Sequence, residues 1–190
     1  MLLVIRMVRP GLNDSGEWLR SEVWKVTLAL NLIPFAGVAF LWFIGVLRHR
    51  LGAAEDRLLA TVFLGSGLLF VALLFVSASA IGAILVSYAV WPMELPRSST
   101  FLLARSFAYH LTTTFALKMA GVFMLSASTI VLRTRIAPRR TAILGYAAAL
   151  IILIGSQFMD WTFFAFPLWV LVVSMEILVD EFRNGTSKPT

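Results

Sequence analysis

The sequence predicts an all-α, polytopic membrane helix bundle with about five transmembrane helices, the first three long and the last two a tight hairpin. Three observations carry that expectation. Of 190 residues, 59% are apolar and only 14% charged, and the mean hydropathy is +0.88. The apolar residues are gathered into runs of roughly 20 or more, the length a helix needs to cross about 30 Å of hydrocarbon while satisfying its own backbone. The links between runs are short and hold most of the arginines, leaving too little polar chain for a separate extramembrane domain.

The first crossing is expected over 26–47. Asp14 and Glu17 have the spacing of a capping box, which would start the helix near Ser15. Pro34 brings no N–H and leaves the carbonyl of Leu30 without its donor, so a kink is expected there. Asn31 lies within a turn of that defect and can serve either the freed backbone or a ligand. In the link that follows, Arg48 and Arg50 stand at a helix end and Gly52 is a natural stop. Glu55 and Asp56 fall where the next helix presents its positive dipole end.

The second crossing, 58–90, is too long for one perpendicular passage and too short for two. It reads as a single tilted helix whose small residues, Gly65, Gly67, Ala78, Gly82 and Ala83, suit close helix approach. Pro92 and Pro96 interrupt the pattern. Ser98 or Ser99 can then cap a third helix that crosses over 107–132. A fourth crossing at 142–158 and a fifth at 162–179 are joined by a hairpin near Asp160, beside the interface-type aromatic stretch DWTFFAFPLW. Arg6 interrupts the apolar residues of MLLVIRMVRP, so no cleaved signal peptide is expected.

The net charge of +6 does not point to nucleic acid, because the arginines lie in links between apolar runs, where topology signals belong. With five crossings, one side holds Arg48, Arg50, Arg57, Arg133, Arg135, Arg139, Arg140, Arg183 and Lys188. The other holds Arg6, Arg9, Arg20, Lys25, Arg97 and Arg105. The basic links place the C-terminus in the cytoplasm and the N-terminus outside a bacterial inner membrane. Arg133, Arg135, Arg139 and Arg140 form a cluster for anionic lipid at the cytoplasmic face, each charge contributing about 1 kcal/mol.

The absence of cysteine excludes disulfides, thiolate metal sites and cysteine nucleophiles. His49 and His110 fall on opposite sides of the membrane, so no metal site and no cofactor are expected. Catalytic signatures such as GxSxG, HExxH or a P-loop are missing, and an enzyme is the lesser expectation.

The feature that remains is Lys118, inside a run otherwise soluble in lipid. It lies eleven residues beyond Phe107, or about 16 Å down a helix, too deep to snorkel, and a charge there costs several kcal/mol unless it faces protein or water. At 100° per residue, Thr114, Lys118, Gly121, Ser128 and Thr129 share one arc, with His110 at its edge. Asp160 falls at a similar depth, which suggests a path from His110 past Asp160 to Lys118. Glu176 and Asp180 read as an acidic pair facing the basic links. The leading expectation is passage or sensing of a small solute or ion along this stripe, in a homo-oligomer, because five helices enclose little volume. The alternatives are a non-catalytic subunit of a larger membrane complex and an enzyme or binder acting on a lipid or quinone.

Overall fold

The computed structural model describes residues 18–51, 57–134, 138–155 and 162–185. Among them every regular element is helical. A single turn, α1 (Trp18–Ser21), precedes α2 (Val23–Leu51) and α3 (Arg57–Val90). A 3₁₀ turn at Leu95–Arg97 leads into α4 (Ser99–Thr134), which is followed by α5 (Arg139–Gly155) and α6 (Thr162–Gly185). Asp14, Ser15, Glu17, Gly52, Glu55, Asp56, Arg135 and Asp160, all invoked above, lie outside the described residues.

Three helices, α2, α3 and α4, are long and apolar enough to cross a membrane. Their outward faces carry large apolar side chains, with Phe35 73%, Trp42 75% and Leu58 76% exposed. Large apolar side chains exposed to this extent on long helices are uncommon on a water-soluble monomer. The two last helices are shorter. α5 has 17 residues, about 25 Å, and the apolar part of α6 runs over Phe164–Val179.

The chain divides into two compact units. The first comprises residues 1–40 and 69–116, the second 41–68 and 117–190. In the first, Leu19, Val26, Ile81, Ile84, Phe101 and Ala108 form the core, closed by Tyr88 and Tyr109. Phe40 meets Phe70 edge-on at 5.5 Å between ring centroids. Gly37 lets the Phe75 ring come against the α2 backbone. Pro34 lies inside α2, and the helix continues through it to Leu51.

The second unit is organised around Phe123, which is wholly buried. Its ring stacks on Phe63 at 4.8 Å, meets Phe166 edge-on at 6.2 Å and faces Phe43 at 6.4 Å. One α4 side chain thereby ties α2, α3 and α6 together. Gly67 makes this possible, since a methyl group there would sit 2.6 Å from Ile44 Cδ1 and 3.1 Å from the Phe123 ring. Between α4 and α5 the close approaches are Gly121 against Leu153 and Ala149, and Gly145 against Ser128, while Trp169 of α6 also packs on Gly145. The expectation of close packing at small residues of the second helix holds at Gly67. At Gly65 and Gly82 an added methyl would meet nothing within 4 Å.

Gly67→Ala and Gly145→Ala should each lower stability by about 1–3 kcal/mol through overpacking. Gly65→Ala and Gly82→Ala should be neutral or raise it slightly, because alanine is the better helix former. Thermal unfolding of the four variants in detergent separates the two pairs.

Candidate functional site

The candidate site is built on α4, the most buried of the three long helices. Ser98 starts it: with an extended backbone (φ −83°, ψ 147°), its hydroxyl accepts the Phe101 N–H at 3.1 Å. Of the two serines expected to cap this helix, Ser98 does so. The first three turns bury Phe101, Arg105 and Ala108, and Thr112 continues the same face at spacings of 4, 3 and 4.

From Leu111 to Ala116 the helix widens into a π segment. Neighbouring residues normally point about 100° apart, yet Thr112 and Thr113 are both buried, as a locally wider turn permits. The Ser77 hydroxyl lies 2.9 Å from the Ala108 carbonyl and 2.7 Å from the Thr112 hydroxyl, which is itself 3.0 Å from that carbonyl. Two hydroxyl protons serve these three contacts, so one hydroxyl donates to the carbonyl while the other donates to its neighbour. Thr113 donates to the Tyr109 carbonyl at 2.9 Å. Such back-bonding competes with the regular ladder and accompanies local distortion of helices.

The π segment corrects the arc read from the sequence, because a uniform 100° step does not hold across residues 111–116. Thr114 is half-buried, and the threonines facing the interior are Thr112 and Thr113. His110 is exposed and presents its ring to neighbouring Tyr109 at 6.1 Å. Asn31 is exposed too, and its amide donates to the Thr27 carbonyl of its own helix at 2.8 Å, not to the carbonyl freed by Pro34. His110, Thr114 and Asn31 belong to the first unit and Lys118 to the second.

Beyond the π segment the periodicity is regular, and the stripe splits into two edges. Gly121 and Ser128 are buried against α5, while Lys118 and Thr129 are half-buried. Thr129 shares a 2.7 Å hydrogen bond with the Tyr146 hydroxyl of α5. Lys118 forms no hydrogen bond or ion pair with any described residue. Ser128 Oγ, fully buried, is also without a hydrogen-bond partner and rests against Gly145.

At the other end of α5, Thr141 donates to the Glu176 carboxylate, and Trp169 Nε1 approaches the Thr141 carbonyl at 3.4 Å. Glu176 is thus held at the first turn of α5, next to exposed Arg139 and Arg140, where the helix dipole favours a negative charge. Arg133 is likewise exposed at the end of α4. Among the described residues no cluster of histidine and carboxylate side chains could hold a metal ion.

Sequence reasoning missed Arg105. Counted there as part of an outer link, it is 2% exposed inside α4, with its guanidinium 5.8 Å from the centre of the Phe101 ring. Arginine is suited to such a place because its weakly hydrated, planar cation stacks on aromatic faces. The available signal was the spacing of Phe101, Arg105, Ala108 and Thr112, which becomes an inward face once the helix is started at Ser98.

No protein-family model, curated protein or solved structure matches the chain.

Thr112→Val should cost about 1 kcal/mol by removing one of the two shared hydroxyl protons. Arg105→Ala should cost about 3 kcal/mol, since it removes both a buried charge and the packing of its stem. Unfolding by sodium dodecyl sulfate in mixed micelles would measure both.

Proposed function

We propose that this chain is an integral protein of a bacterial inner membrane, crossing five times, which passes or senses a small solute or ion along α4. The carrying observation is that the most buried of the three long helices also holds both interior cations of the long apolar segments, Arg105 and Lys118. Lipid-facing positions do not tolerate such charges, so their presence marks a face turned to protein, water or ligand. Glu176 joins the start of α5, next to Arg139 and Arg140, and with Arg133 and Arg135 these arginines form the basic cluster that would meet anionic lipid at a cytoplasmic face. In this reading Lys118 is the central residue of the path, and His110, Thr114 and Asp160 are the other residues the sequence assigns to it. Asn31 is a minor participant, since its amide serves its own helix. The working form is a homo-oligomer.

A second reading, a non-catalytic subunit of a larger membrane complex, is favoured by the open surroundings of Gly65 and Gly82 on α3, where another helix could approach closely. Co-purification of a stoichiometric partner would select it.

The test is flux. Purified protein in liposomes should show a solute or ion leak that falls at least about tenfold in Lys118→Met, the change expected from about 1.4 kcal/mol. Unchanged flux in the folded variant removes Lys118 from the path.

A further inference from the structure

The outer face of α2 in the first unit has the composition of a surface that meets its own copy. Along one line of the helix stand Trp24, Leu28, Asn31, Phe35 and Val38, at steps of four and three residues. All five are exposed. Val26, Gly37 and Phe40 are buried on the opposite side, Gly37 against the Phe75 ring and Phe40 against Phe70. The line therefore points away from the packed interior.

Asn31 is the anomaly on it. Trp24 has Lys25 Nζ 5.7 Å from its ring centre, and Glu22 pairs with that lysine, which gives this end of α2 the aromatic and charged groups of a membrane interface. Asn31 is seven residues further on, about 10 Å along the helix, beyond the reach of a lipid headgroup. One amide N–H goes to the Thr27 carbonyl. A second N–H and the amide oxygen remain, and acyl chains satisfy neither. Polar side chains in such places join transmembrane helices to one another.

Self-complementarity selects a second copy as the neighbour. Copies of one chain insert in the same orientation, so the two-fold axis of a dimer runs along the membrane normal and each residue near it meets its own counterpart. Charged residues on such a face would repel themselves, and α2 has none between Val26 and Phe40. An amide both donates and accepts, so asparagine is complementary to asparagine. A single asparagine at the seam of parallel helices fixes register and partner number in the same way.

Starting from the homo-oligomer of the reading above, we infer that two copies pair in parallel through this line of α2, with Asn31 bonded to its own counterpart at the axis. Leu28 and Phe35, one turn to either side, pack against their counterparts and exclude lipid from the amides.

The chain has no cysteine, so single-cysteine variants of the full chain report the face directly in the membranes of the expressing cells. Under oxidation with copper phenanthroline, Leu28→Cys, Asn31→Cys, Phe35→Cys and Val38→Cys should link two copies several-fold more than Leu32→Cys and Ala36→Cys, which are exposed but lie about 80–120° round the helix. By native mass spectrometry over a dilution series, Asn31→Leu should weaken the purified dimer about tenfold, and Asn31→Gln should preserve it. Equal linking at all six positions, or an Asn31→Leu dimer as tight as the wild type, overturns the inference. Linking to a different polypeptide overturns it in favour of a partner subunit. An oligomer that persists by mass without linking on this line has its interface elsewhere, which overturns the inference and leaves the homo-oligomer standing. A monomer in both assays removes the homo-oligomer, and this inference with it.

Discussion

The second unit depends on one steric fit, the seating of the Phe123 ring against Gly67. Hydrocarbon solvates leucine as well as a protein interior does, so helices in a membrane are held by close packing and by hydrogen bonds more than by expulsion of water. A large flat ring wholly buried among Phe43, Phe63 and Phe166 supplies much of that contact. It can do so only where the facing backbone lacks a side chain. The same device recurs at Gly145, where the absence of a Cβ admits Ser128 and the Trp169 indole. These are the positions at which a single methyl group has the greatest effect, and they explain why α5 can be short yet firmly placed.

Polar groups follow a second rule. Most hydroxyls of the described helices donate to carbonyls one turn back, as at Thr61, Ser79, Ser126 and Thr134, and so remove themselves from the list of groups that need a partner. Those that reach across helices are few and informative. Ser77 meets Thr112 and the Ala108 carbonyl, Thr129 meets Tyr146, and Thr141 meets Glu176. Each joins α4 to α3 or α5, or α5 to α6, and adds direction to contacts that packing alone would leave free to slide. The π segment beside Ser77 belongs with them, since it turns two consecutive threonines inward.

Against this background the cations divide by environment. Arg105 is enclosed beside the Phe101 ring and behaves as part of the packed interior. Lys118 stands on a half-open edge with its charge uncompensated by any described residue. A protein can keep the first for stability alone. The second stands on the partly open edge where the functional proposal places its path.

Length and composition by themselves determined that the chain is helical and apolar enough for a membrane, because a run of about 20 apolar residues has few other ways to satisfy its backbone. They also determined where most helices break, at Pro92 and Pro96 and at the arginine-rich links, and that Ser98 or Ser99 would open the third helix. Lys118 was legible as the anomaly for the same reason, a charge where lipid-soluble residues are required. Tertiary structure decided which faces meet. The meeting of Ser77 with Thr112 and the engagement of Glu176 by Thr141 depend on residues distant in sequence. A helical wheel drawn with a constant step could not follow the π segment, because the change of phase arises from local hydrogen bonding that periodicity assumes to be regular. Nor could a list of glycines show that Gly67 and Gly145 are filled and Gly65 and Gly82 open, since a missing side chain takes its meaning from the neighbour that occupies its place.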